Sequence, residues 1–179
     1  MKKQIIIRGK ADIDRYMGKI HASAEETQIN VCELSGNKEA MDLLYRMKFE
    51  AIGCDPLNSQ RRLNLIEQLN QTFTYMASLK AARYLFANYN DLKSLTLNLG
   101  TRSGWDIETN DDGGVIAEVF AAVSPKNNRK LEKDIKKVSE ATARRKFVFF
   151  MCPGFEEGTY PEMQTNPDIT VVSLGYDLP

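Results

Sequence analysis

The chain has a single histidine, His21, in 179 residues, and three widely spaced cysteines, Cys32, Cys54 and Cys152, with no C-x-x-C among them. A mechanism that needs two imidazoles is excluded, and neither a disulfide framework nor a zinc knuckle is indicated. The thiols are expected to be reduced and partly buried. Long apolar runs are missing as well. Nothing approaches the roughly 20 residues that span a bilayer, and the run Ile5 to Ile7 stops at Arg8, too short for a secretory core. The expectation is a soluble, cytoplasmic protein with no membrane partner. With only 6 Pro and 11 Gly, and no repeat or low-complexity tract, fibrous and disordered classes are excluded. What remains is 42% hydrophobic and 27% charged, which suits a single domain over residues 1–179 with a sizeable core.

An excess of charge of one sign is absent too, since 24 Lys and Arg balance 24 Asp and Glu. The balance hides a local asymmetry. Between Gly104 and Glu118 stand Asp106, Glu108, Asp111, Asp112 and Glu118 with no base among them, a stretch of −5. Between Lys126 and Lys146 nine bases face three acids, a stretch of +6. Such asymmetry bears on partners more directly than the zero total does.

Periodicity organises the chain. Residues 1–55 read as an α/β elaboration: a strand at Lys3 to Arg8, a helix at Lys10 to Ala24, a poorly alternating strand at Thr27 to Leu34, and a helix at Asn37 to Phe49 with Ala40, Leu43, Leu44 and Met47 inward. Cys54-Asp55-Pro56-Leu57-Asn58-Ser59 reads as a helix start with Asn58 or Ser59 as cap. From about Gln60 to Tyr89 there is no Gly or Pro, and Leu63, Ile66, Leu69, Phe73, Met76 and Leu79 keep a helical period expected to pack the core. The period then changes to two. Strands are expected at Ser94 to Leu99, Gly104 to Thr109 and Gly114 to Val123, with Asp111 to Gly114 turning between the last two. Ser124-Pro125 opens a helix to about Ala141. Phe147-Val148-Phe149-Phe150 suits a central strand covered on both faces, and a last strand is expected at Ile169 to Leu174.

The third meander strand carries the most informative residue. Alternation places Glu118 on a face with Ile116, Phe120 and Ala122, where an unpaired carboxylate costs several kcal/mol. On the neighbouring strand Asp106 and Glu108 share one face, Trp105 and Ile107 the other. An Asp and a Glu met from adjacent strands make a hard oxygen site suited to Mg²⁺ or Mn²⁺. The plainer alternative is that Glu118 pairs with a lysine of the following helix and Asp106 is a solvated edge residue. On the long helix Glu67, Asn70, Gln71, Thr74 and Ser78 form a polar strip that faces either a polar cleft or neighbouring loops. On the helix after Pro125, Leu131, Ile135 and Val138 make an apolar stripe opposite Lys126, Arg129, Lys130, Lys133, Lys136 and Lys137. That basic face matches a phosphate backbone, or is simply solvated. Residues 98–104 lack P-loop spacing and read as a hairpin turn, and Cys152 has no histidine nearby to activate it.

From Asn58 to Cys152 the order helix, three strands, helix, strand, with an Asp on the second strand and a Glu on the third, resembles the PD-(D/E)XK, restriction-endonuclease-like nucleases. The resemblance implies an α/β fold with a nuclease-like core over 56–179 and metal-dependent phosphodiester hydrolysis, with DNA the expected substrate. It makes Asp106 and Glu118 catalytic metal ligands for Mg²⁺ (or Mn²⁺), with Glu67 as an additional acid on the first helix. Two positions depart from the pattern. Phe120 stands where the lysine of the (D/E)-x-K element belongs, and Trp105 stands where the proline before the Asp belongs. A lysine of the following helix, Lys126, Lys130 or Lys133, would then take the catalytic part. Arg129, Lys130, Lys133, Lys137 and Gln71 would hold nucleic acid, and a homodimer would be needed to cut both strands together. The alternative is an inactive protein of the same fold that binds nucleic acid or a protein partner.

Overall fold

The computed structural model describes residues 3–36, 39–100, 104–109 and 114–176. In chain order its elements are β1 (Gln4–Ile7), α1 (Lys10–Ser35), α2 (Ala40–Phe49), β2 (Gly53–Asp55), β3 (Asn58–Leu63), α3 (Leu65–Asn88), β4 (Leu95–Asn98), β5 (Ile107–Glu108), β6 (Val115–Ala121), α4 (Lys130–Ser139), β7 (Arg145–Met151), β8 (Gly158–Thr159) and β9 (Ile169–Ser173). The protein is mixed α/β, with four α-helices among the described residues. No helix among them is long and apolar enough to cross a membrane. The chain forms two compact units, Met1–Ile13 with Ala77–Pro179, and Asp14–Met76.

The larger unit is built on a seven-stranded sheet in the order β1-β4-β5-β6-β7-β9-β8. β4, β5 and β6 are an antiparallel meander, and β7 then runs parallel to β6 and to β9. A parallel neighbour requires a crossover, and α4 supplies it. Phe147, Val148, Phe149 and Phe150 are all buried, as expected of a strand with both faces covered. Val148 and Phe150 join Ile116, Phe120, Leu131, Ile135 and Val138 in a cluster under α4. On the opposite face Phe147 and Phe149 meet Tyr84, with ring centroids 6.5 and 5.5 Å apart.

The meander is shorter than its alternation suggests. β5 pairs over Ile107 and Glu108 only, so Trp105 lies outside the strand. Instead of sharing a face with buried Ile107, Trp105 packs on the α4-side cluster. The turn expected at Asp111 to Gly114 falls mainly on residues outside the described set. α4 is also shorter than expected: Pro125 sits in a turn, a 3₁₀ turn follows at Asn127–Arg129, and the α-helix proper begins at Lys130. Positive φ at Asn128 and Arg129, 52° and 55°, breaks the helical path there.

The smaller unit departs more from its sequence pattern. Thr27 to Leu34 continues α1 rather than forming a strand. The expected helix start at Asn58 is a hairpin: β2 and β3 pair antiparallel around Pro56-Leu57, and the Asp55 carboxylate accepts the Leu57 N–H at 2.9 Å. Asp-Pro-x-Asn serves turns as readily as helix starts. The cap of α3 is Asn64, whose Oδ1 accepts the Glu67 N–H at 2.8 Å. Ile66 and Leu69, in the first turns of α3, are exposed, whereas Met76 and Leu79 are buried as expected. The buried pivot of this unit is Gln68, which no apolar pattern marks. Its Oε1 accepts from Thr27 Oγ1 and the Cys54 N–H at 2.7 and 2.8 Å, and its amide donates to Ser23. A Cβ at Gly53 would collide with Gln68 Oε1, so the close approach requires glycine.

Candidate functional site

The register that pairs Ile107 with Ala117 and Glu108 with Ile116 brings Asp106, one residue before β5, alongside Glu118. Asp106 is fixed there by accepting the Val119 N–H on Oδ2 at 2.8 Å. The two carboxylates are close enough to repel: burial and then the charge of Asp106 push the Glu118 carboxyl up to about 7. Burial raises Asp106 as well, against the opposing pull of the Val119 N–H, Lys130 and Lys137. Both acids are thus where alternation and pairing place them, on the α4 side of the sheet.

The counter-charge comes from α4. Lys137 Nζ lies 2.6 Å from Glu118 Oε1 and donates to the Gly104 carbonyl at 2.7 Å, with its ammonium 5.2 Å from the Trp105 ring centroid. The lysine therefore clamps the segment entering β5 onto the acid of β6. This is the helix-lysine pairing of Glu118 weighed from sequence, but Asp106 beside it is a positioned group held by a backbone N–H, not a solvated edge residue. Glu118 is 3% exposed, and its neighbours are ionic as well as apolar.

A third carboxylate joins them that sequence reasoning did not single out. Asp134 lies on the buried side of α4, one turn from Leu131 and Val138, and its Oδ1 takes Lys130 Nζ at 2.6 Å. Its Oδ2 is buried with no hydrogen-bond partner among the described residues. Burial raises the Asp134 carboxyl despite the bond from Lys130. The available signal was an acid interrupting the Leu131, Ile135, Val138 stripe within a run of lysines, where i, i+4 pairing with Lys130 is geometrically open. Lys130 Nζ also stands 5.8 Å from the ring centroid of Phe120, the position where the motif lysine is missing.

The remaining sequence candidates belong to the α4 region or to the smaller unit. Lys126, Arg129, Lys133 and Lys136 are exposed along the turn and outer face of α4, and Arg129 pairs with Glu132 at 2.7 Å. Glu67 and Gln71 belong to the smaller unit. Glu67 is exposed in the first turn of α3, and Gln71 accepts the Tyr75 hydroxyl at 3.1 Å. Of the polar strip, Ser78 is buried in the larger unit and Asn70 is exposed. All three cysteines are free thiols, Cys54 and Cys152 buried and Cys32 exposed.

Among the described residues no group of three His, Cys, Asp or Glu side chains is spaced to hold a metal. A smaller donor set remains. Asp106 Oδ2 and Glu118 Oε1 are engaged, by Val119 and Lys137 respectively, so one oxygen of each stays without a protein partner among the described residues. Mg²⁺ is commonly bound by one or two carboxylates with waters and substrate phosphate completing six oxygens, and the pair fits that chemistry. No family model, curated protein or solved structure matches this chain.

Proposed function

We propose that the protein is a metal-dependent phosphodiesterase of the PD-(D/E)XK type acting on nucleic acid, with DNA as the expected substrate. One observation carries the reading. Asp106, Glu118 and the Lys137 ammonium, from three separate segments, converge on the α4 side of the sheet in a chain that lacks the motif lysine at position 120. The order helix, antiparallel meander, helix, parallel strand supports it at the level of topology. A divalent ion held by Asp106 and Glu118 would supply a nucleophilic water and neutralise charge on the scissile phosphate.

The chain's own residues would do the rest. Lys137 has three donors, of which Glu118 and the Gly104 carbonyl use two; the third is available to a phosphate oxygen, where charge builds in the transition state. Lys130, held by Asp134 beside Phe120, is the second cation at the site. The exposed Lys126, Arg129, Lys133 and Lys136 would position the nucleic-acid backbone by neutralising phosphates. The test is cleavage of plasmid and single-stranded DNA with Mg²⁺ or Mn²⁺, comparing the wild type with Asp106→Ala, Glu118→Ala and Lys137→Ala. Metal-dependent cutting lost in the two acid variants is expected, and cutting retained in Asp106→Ala would sink the assignment.

A second reading is favoured by the ion pairs themselves. Lys137 already neutralises Glu118 and Lys130 already neutralises Asp134, so the site can stand as a self-compensated network in an inactive protein that binds nucleic acid. Salt-sensitive binding without product at any metal concentration would select it.

A further inference from the structure

A cavity of about 380 Å³ opens between α1 and the β2–β3 turn, within the size of small-molecule clefts, roughly 300–1,000 Å³. Every residue that lines it belongs to the smaller unit. One wall is a single face of α1, where Lys19, Ala22, Ser23 and Glu26 follow at helical spacing. The other is the turn from Asp55 to Ser59, in which Pro56 and Leu57 are apolar. Neither the basic face of α4 nor the pair of Asp106 and Glu118 takes part in it.

The hydrogen bonds of the lining select the charge of a ligand. Its acceptors are in use. Asp55 takes the Leu57 N–H on Oδ1 at 2.9 Å and Arg61 on Oδ2 at 3.2 Å. Glu26 takes Arg62 on Oε1 at 2.5 Å and the Cys54 thiol on Oε2 at 3.7 Å. Ser23 Oγ takes the Gln68 amide at 3.0 Å. The donors, by contrast, are open. Among the described residues the Lys19 ammonium meets only the Tyr16 ring, 5.8 Å from its centroid. The Asn58 side chain uses only its oxygen, on the Gln60 N–H, and the Ser59 hydroxyl has no partner among those residues. Glu26 and Asp55 are each matched by an arginine, which leaves Lys19 as the charge of the lining that lacks a counter-ion among the described residues. A single negative charge neutralises it, whereas a phosphate dianion would set an excess beside two carboxylates. The structure assigns this cavity to a small organic carboxylate, with its head toward Lys19, Asn58 and Ser59 and a short apolar body against Ala22, Pro56 and Leu57. Such a ligand bridges α1 and the hairpin. The inference stands on the smaller unit alone and does not depend on the nuclease reading.

The test is a titration of the full chain at constant ionic strength, followed by two-dimensional amide NMR spectra, with butyrate, butyramide and butylammonium as probes that share a body and differ in head charge. Butyrate is expected to shift the amides of Ala22, Ser23, Leu57 and Asn58 saturably, with a Kd on the order of 1 mM, the scale open to a ligand of about six non-hydrogen atoms. Butyramide and butylammonium should bind about tenfold more weakly or not at all, since a bond to a charged group is worth at least that factor. Lys19→Glu, at an exposed position, should remove the preference for butyrate and transfer it to butylammonium. Asn58→Asp keeps the acceptor for the Gln60 N–H and should weaken butyrate about tenfold. Butylammonium held by the wild type as tightly as butyrate would overturn the proposal, as would butyrate binding indifferent to both variants. No shift at those amides with butyrate at about 50 mM, well above the expected Kd, would overturn it too. Inorganic phosphate bound more tightly than butyrate would overturn the assignment to a carboxylate.

Discussion

Glu118 makes the stability of this protein depend on pH in an unusual direction. In the unfolded chain a Glu titrates near 4.5, whereas burial beside Asp106 pushes the folded carboxyl to about 7 even with Lys137 at 2.6 Å. Between those values the folded state binds more protons than the unfolded state, so stability falls as pH rises through that window and is level above it. At about 1.4 kcal/mol for each tenfold change, the full effect is about 3 kcal/mol. Asp106 beside β5 and Asp134 on α4 shift in the same direction, and Lys130 and Lys137 oppose them. Asp91, lowered by its bond from Arg145, acts in the opposite sense at lower pH, so the total curve is not diagnostic. The difference between wild type and Glu118→Gln is. In urea denaturation at constant ionic strength with chelator present, that difference should move by about 3 kcal/mol in favour of the variant between pH 4.5 and pH 8. The half-exposed Lys137 can re-solvate when its partner becomes neutral. A difference that stays constant within about 1 kcal/mol would refute the reasoning. Mg²⁺ added at pH 8 should then stabilise the wild type and not Glu118→Gln, because an ion bound only to the folded state stabilises by mass action.

Asp106→Ala should cost about 1–3 kcal/mol in addition to any loss of cleavage, since it leaves the Val119 N–H without its acceptor; unchanged urea midpoints would show that water replaces it. Gln68→Ala, which strands the Cys54 N–H while Thr27 Oγ1 keeps the Ser23 carbonyl as acceptor, should destabilise by about 1–3 kcal/mol, checked by the same titration. Lys130→Glu with Lys133→Glu should weaken DNA binding and flatten its dependence on log salt by about two phosphate contacts; an unchanged slope in a fluorescence anisotropy series would remove α4 from the interface. Cys32 should react first with a disulfide reagent, because burial shields Cys54 and Cys152 and raises both thiols; equal rates at all three would contradict the packing.

Features governed by neighbours close in sequence could be read directly from the chain. Period-two alternation located β4 and β6, the Phe147 to Phe150 run marked a strand covered on both faces, and the Leu131, Ile135, Val138 stripe oriented α4. Asp106 and Glu118 could be brought together from sequence because pairing across a short meander follows from the same alternation. That rule stops where pairing stops, which is why Trp105 departs from the face of Ile107. The identity of the ammonium at Glu118 depends on a residue 19 positions away. Helical periodicity places six bases on one half of the helix expected after Pro125 without ranking them. Asp134 stands among lysines in the sequence, and only the packing of α4 onto the sheet buries it. Likewise Asp-Pro-Leu-Asn serves a helix start or a hairpin equally well until β2 finds β3, and Leu44 of α2 reads as core although it is 58% exposed. In the larger unit local pattern determined that β4, β6, β7 and α4 form and which way they face; whether Thr27–Leu34 and the Asn58 segment became helix or hairpin, and partner choice, burial and therefore charge state, came from contacts between elements distant in sequence, whose energies no local window contains.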